Sequence, residues 1–313
     1  MKGVSISSRF LACLTPLLFA LIALSCETII DPELESADPV LVVDAWINNR
    51  PEAQVIMLTR TQGYFDTAPL TGVVGAQVKV TNTTTNEVFL FTPAATPGEY
   101  VWEPEGIGES IGVTGNKFSL QVIAGGQEYR STATLGRVPA IDSITFTFQP
   151  GGSFFPDSYI AEFYAVDPPG KGDTYWIKAW KNDTLLLRPS EINVAFDGGF
   201  SEGGNIDGVN FITPIRQAIN PAVTDKDGRP LSPYVIGDSV YVEIHSITRQ
   251  AFDFLNQVAI QTDRPGGFSE LFAAPMSNVG TNIVNANPTG EIAIGFFNVS
   301  TIAAAGKRLK QKK

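Results

Sequence analysis

Apolar and polar residues alternate with a period of two along much of this chain, the pattern of strands that bury one face. Over residues 40–47, Val40, Val42, Asp44 and Trp46 share one side while Leu41, Val43, Ala45 and Ile47 share the other. The second row is apolar throughout and is expected to face a core. Residues 54–59, 76–81, 88–92 and 118–123 repeat the pattern, separated by turn-forming clusters at 82–86 and at Gly125 and Gly126. Gly98, Glu99 and Tyr100 close a turn ahead of Val101 and Trp102. Short strands at this spacing predict an immunoglobulin-like β-sandwich over residues 40–137.

Arg137, Val138, Pro139 and Ala140 read as a connector, after which alternation resumes at 141–149 with Ile144, Phe146 and Phe148 on one face. Further strands are expected at 159–166, 174–181, 239–247 and 291–297. Residues 248–260 break the period. There Ala251, Phe252, Leu255, Val258 and Ala259 follow a 3, 4 spacing, which predicts one amphipathic helix covering a sheet face. Residues 197–236 are rich in Gly, Asn, Asp and Pro with weak periodicity, the signature of a functional or mobile loop. The chain is therefore expected to be mainly β, with a second β-rich domain at 141–306 and a frayed basic tail at 307–313 holding Lys307, Arg308, Lys310, Lys312 and Lys313.

Composition narrows the picture. Hydrophobic residues make up 43% and charged residues 17%, with 29 Gly and 21 Pro, which excludes coiled coils, helical bundles and a wholly disordered chain. The net charge of −10 opposes nucleic-acid binding, because phosphates require a positive surface.

The N-terminus has the order of a cleaved leader: Lys2 and Arg9, then an uncharged run from Phe10 to Leu24. As a helix at about 1.5 Å per residue that run would span about 22 Å, too short to cross a bilayer. Ile22, Ala23, Leu24, Ser25 and Cys26 resemble a bacterial lipobox, which makes residues 1–25 a lipoprotein signal peptide and Cys26 the lipidated residue. Cys13 lies inside the leader, so Cys26 is the one cysteine left after cleavage, and acylation accounts for it. About three chains on one residue exceed the two-anchor threshold for stable attachment. Residues 26–39, acidic and interrupted by Pro32 and Pro39, form a tether from the membrane to the first strand.

Candidate chemistry is sparse. His245, the sole histidine, shares a strand face with Tyr241 and Glu243, and with no spare cysteine a structural zinc site is excluded. Gly199, Phe200, Ser201, Glu202 and Gly203 match a nucleophile elbow, but residues 204–208 do not start the helix that such an elbow needs. Asp225 to Gly228 begin like a calcium loop that Arg229 and Pro230 break, and they read as a turn. Asp197, Glu202, Asp207, Asp225 and Asp227 could still collect a cation in the long loop. No phosphate loop or dinucleotide fingerprint is present, so no cofactor is expected. Trp176 and Trp180 flank Lys178 on one face of the 174–181 strand, a possible stacking platform for a sugar or peptide, against the alternative of a sheet packed on both faces.

The order of landmarks resembles a known family. Leu41 to Ile47 soon after the lipobox, residues 141–148, Asp167 to Tyr175, residues 238–248 leading into the 252–255 helix, and residues 282–297 are together similar to the Bacteroidota lipoprotein family called domain of unknown function 4249. The resemblance implies an outer-membrane, surface-exposed lipoprotein beside a TonB-dependent transporter, and it supplies no catalytic residue. The expected function is a non-catalytic accessory or ligand-capturing partner of such a transporter. A structural or adhesion lipoprotein is the alternative, and a hydrolase acting through two carboxylates about 5–10 Å apart in a cleft is the third possibility. Intact-mass analysis of membrane-extracted protein tests the anchor: Cys26 should be N-terminal, carry diacylglyceride and resist thiol alkylation, and Cys26→Ala should abolish membrane attachment.

Overall fold

The apolar row of the first segment becomes one wall of a curled sheet. In the computed structural model the described residues are 38–63, 66–153, 155–204, 206–264 and 277–311. The leader, Cys26 and the tether as far as residue 37 lie outside them. Strand β1 (Leu41–Asn48) buries Leu41, Val43, Ala45 and Ile47, the row expected to face the core. Strands β2 (Gln54–Arg60), β3 (Gln77–Asn82), β4 (Glu87–Pro93), β5 (Glu99–Trp102) and β6 (Lys117–Ala124) follow the alternating segments. β7 (Gln127–Thr134) escapes the pattern because its inward row includes Ser131, a polar residue that is nonetheless buried.

The second half supplies β8 (Ser143–Gln149), β9 (Ser158–Tyr164), β10 (Thr174–Lys181), β11 (Thr184–Leu185) and β12 (Asn193–Phe196). Helix α1 (Thr213–Gln217), strand β13 (Ser239–Ser246), helix α2 (Arg249–Thr262), and strands β14 (Val284–Asn285), β15 (Ala293–Ser300) and β16 (Ile302–Arg308) complete it. Among the described residues no helix is long and apolar enough to cross a membrane.

An immunoglobulin-like sandwich is not what the first segment makes. Hydrogen bonding runs without a break through nine strands in the order β14-β7-β6-β3-β4-β5-β2-β1-β15. The sheet curls until β15 approaches β7, so it nearly closes around one core that includes Phe89, Phe118, Leu120, Tyr129, Phe297 and Ile47. Asn282 helps close it: its Nδ2 donates to Phe297 O at 2.8 Å and its Oδ1 accepts from Phe297 N at 2.9 Å. Among the described residues every strand pair is antiparallel except β1 with β15.

The expected division into 40–137 and 141–306 is therefore crossed, because β14 and β15 come from the second segment and pair in the first sheet. β15 then passes through Thr301 into β16, which pairs with β13 in the second sheet, order β11-β10-β13-β16. Pro39–Lys313 form one compact unit. The basic tail is also corrected in part. Lys307 and Arg308 belong to β16, Leu309 is buried, and Leu309 N donates to Asp238 O at 2.8 Å.

The second sheet buries Tyr175, Ile177 and Ala179 of β10 with Val240, Val242 and Ile244 of β13. Much of residues 197–236 covers this core and is not a free loop: Phe211, Ile215, Ile219 and Tyr234 are fully buried, and Tyr234 OH donates to Ile219 O at 2.6 Å. The expected helix is present as α2, which buries Ala251, Phe252 and Leu255 over β12 and the end of β10. Its N-cap, Thr248, accepts from Ala251 N at 3.2 Å and donates its own amide to Asn298 Oδ1 at 3.0 Å. Buried Asn298 also donates to Ser246 O at 3.3 Å, so one amide side chain joins β13, α2 and β15.

Gly295 permits the parallel pair. Its φ is +98°, and a Cβ there would lie 2.1 Å from Val43 O. Gly295→Ala should destabilise the protein by more than about 1 kcal/mol in urea unfolding. Gly63→Ala, where a Cβ meets nothing within 4 Å, should stay within about 0.5 kcal/mol of the parent.

Candidate functional site

Alternation along β10 turns Trp176, Lys178 and Trp180 away from the core. Pairing with β13 sets Trp176 opposite His245, Lys178 opposite Glu243 and Trp180 opposite Tyr241. The outer row of β1 comes up against this ladder. Asp44, Trp46, Val55, Met57, Trp176 and Lys178 line an open recess of about 400 Å³. A smaller recess of about 190 Å³ shares Trp46, Trp176 and Lys178 and is bounded by Arg50, Glu243 and His245. Together they form one cleft at the seam between the two sheets.

The aromatic residues make walls and not a single flat platform. Trp46 and Trp176 meet edge to face with centroids 5.1 Å apart, and Trp46 stacks on Phe296 at 5.5 Å. Lys178 Nζ sits 4.1 Å over the Trp176 ring. Trp180 instead packs edge-on against Tyr241 at 5.4 Å and is absent from the lining of either recess. Of the three residues singled out by the sequence, Trp176 and Lys178 share the cleft and Trp180 leaves it. Phe254 of α2 and Phe296 of β15 pack at 4.7 Å beside Trp46, at the end of the cleft away from Trp180.

Arg50, on the turn after β1, was not marked by any motif and is the residue that ties the sheets across the cleft. Its Nη1 meets Glu243 Oε1 at 2.6 Å, and its Nη2 donates to Tyr241 OH at 3.2 Å. Tyr241 OH donates to the same Glu243 oxygen at 3.1 Å, while Glu243 Oε2 lies 2.7 Å from His245 Nε2. Burial pushes the Glu243 carboxyl up, but the hydrogen bonds and charges of His245 and Arg50 outweigh it and hold the group at about 2. Ionised Glu243 only accepts, so the proton belongs on His245 Nε2. Burial lowers the His245 pKa, helped by the charges of Lys178 and Arg50 and opposed by Glu243. Burial also lowers Lys178, with Glu243 and Asp44 pulling the other way. Asp44 is raised by its surroundings, against the attraction of Lys178.

Two carboxylates, Asp44 and Glu243, border the cleft. Asp44 and Glu243 have pKa values pushed in opposite directions, as an acid and its partner need, yet both Glu243 oxygens are already engaged. Ser201 is exposed on a loop beyond β12, and a short turn at Glu202–Gly204 follows it where an elbow would place a helix. Asp225 forms the turn expected of it, its Oδ1 accepting from Asp227 N at 2.8 Å and Arg229 N at 2.9 Å.

Two carboxylates of the long loop do cluster with one from outside it, which is not the set expected. Asp167, Asp197 and Asp207 place ligand atoms within 4.8 Å of one another, whereas Glu202 pairs with Arg249 at 3.0 Å. Their oxygens have structural partners: Tyr175 OH donates to Asp167 at 2.6 Å, Gly172 N to Asp197 at 2.8 Å and Gly170 N to Asp207 at 2.8 Å.

A single histidine makes the network measurable. In a proton NMR titration of protein carrying a histidine-free tag, the His245 ring should titrate below 6.5. Lys178→Met should raise that value by removing a nearby cation, and Glu243→Gln should lower it further. Because the folded value is depressed, His245 favours folding above about 6.5 and that contribution falls away as the pH drops and the unfolded chain takes up the proton.

A comparison with curated proteins finds no match. Residues 27–305 match the family model described as Domain of unknown function (DUF4249), and the chain belongs to that family.

Proposed function

We propose that this chain is a lipid-anchored protein of the bacterial outer surface that captures a ligand in the seam cleft without transforming it, as an accessory to a TonB-dependent transporter. The observation that carries the reading is the cleft itself. Trp46 and Trp176 offer apolar ring surface, Lys178 and Asp44 offer opposite charges beside it, and the remaining charged groups are held by one another. Aromatic walls with a few fixed polar groups are the composition of sites that recognise sugars and peptides by contact and hydrogen bond together. The lipobox ending at Cys26 and the acidic tether support the surface address. The transporter partnership rests on the family resemblance.

Two measurements test it. Mild solubilisation of native membranes should recover a TonB-dependent transporter in stoichiometric amount with the chain; recovery of envelope scaffold components alone would favour an adhesion role. Titration with a panel of neutral and acidic oligosaccharides and short peptides should quench tryptophan fluorescence saturably. Trp46→Ala or Lys178→Met should weaken that binding at least about tenfold, the scale of one lost hot-spot contact. A wild-type response unchanged in both variants would remove the cleft from the function.

A further inference from the structure

The nine-stranded sheet has short pairing between β4 and β5. These strands pair only at Thr92 with Val101 and Pro93 with Tyr100, and Ala94 N donates to Glu99 O at 2.9 Å. Toward Glu87, β4 keeps β3 on one side from Phe91 to Glu87, while β5 ends at Trp102. Hydrogen bonds of an antiparallel strand alternate between its two edges. Ala94 faces β5, so by parity Thr92, Leu90 and Val88 do too, and beside the last two there is no strand. Among the described residues no backbone hydrogen bond reaches Val88 or Leu90 from that side.

The space left is a groove of about 610 Å³ lined by Val88, Leu90, Thr92, Trp102, Glu103 and Glu105. Val88 is 51% and Leu90 63% exposed. Phe89 packs edge to face against Trp102 from inside the sheet at 5.2 Å. A free strand edge with apolar residues at alternate positions is what an added strand binds.

We propose that this edge receives an extended segment of a partner protein as an additional strand, and that the segment carries Lys or Arg. The sign comes from Glu103 and Glu105, which have no cationic partner among the described residues. The chain's own tether is acidic and is repelled by them. Its residues 310–313 are Lys, Gln, Lys and Lys, with nothing apolar to meet Val88 and Leu90. The dock shares no lining residue with the seam cleft, although its Val101 pairs with Val55 of the cleft, and it does not depend on ligand capture there.

The test uses the full-length chain in detergent and a labelled synthetic peptide of about eight residues, alternating Val and Thr with Lys at both ends. Binding by fluorescence anisotropy should be saturable. N-methylation of alternate peptide residues, Glu in place of the peptide lysines, Leu90→Lys, or Glu103→Lys with Glu105→Lys should each weaken it at least about tenfold, with thermal unfolding of the exposed-site variants unchanged. Absence of binding up to millimolar peptide, or equal binding of the N-methylated peptide, overturns the proposal. Self-association of the chain that Leu90→Lys abolishes would assign the edge to a second copy and overturn it as well.

Discussion

The parallel pairing of β15 with β1 is the contact on which the rest of the architecture depends. It inserts a C-terminal strand beside the first strand of the fold, and the same chain then runs through Thr301 into β16 of the second sheet. Parallel neighbours need a long connection, and here nearly the whole chain supplies it. The pairing requires Gly295, because the backbone of β15 comes too near the Val43 carbonyl for any side chain. Asn298, two residues after the pair formed by Phe296 and Asp44, then binds β13 and the start of α2.

That pairing also creates the cleft. The outer row of β1 and the ladder of β10 with β13 belong to different sheets, and they are brought face to face where β15 of the first sheet runs directly into β16 of the second. Arg50 completes the joint by reaching the buried Glu243 from a turn on the other side. Removing one member of such a pair leaves the other charged and poorly solvated, which costs more than the pair gains. The joint therefore favours a fixed separation between Trp46 and Trp176.

Local pattern was a sound guide where one face of a strand meets the core. The rows of β1 and β10 and the 3, 4 spacing of α2 could be read directly, because burial of alternate or helical positions writes itself into the residue order. It failed where the buried face is polar, as at Ser131 in β7, and where irregular backbone is covered by a few large side chains, as with Phe211, Ile219 and Tyr234. Pairing order was likewise illegible. Short alternating strands suit a two-sheet sandwich and a single curled sheet equally well, since each buries the same inward row.

By itself the sequence determined most of the strands, the long helix α2, and the face on which Trp176, Lys178 and Trp180 stand. Only the tertiary structure decided that Trp176 meets Trp46 while Trp180 turns to Tyr241, that Arg50 closes on Glu243, and that β15 belongs to the first sheet. The physical reason is one of range. Period and turn chemistry act over neighbouring residues, whereas these contacts join positions separated by much of the chain, and their geometry is set by the packing of all the strands between.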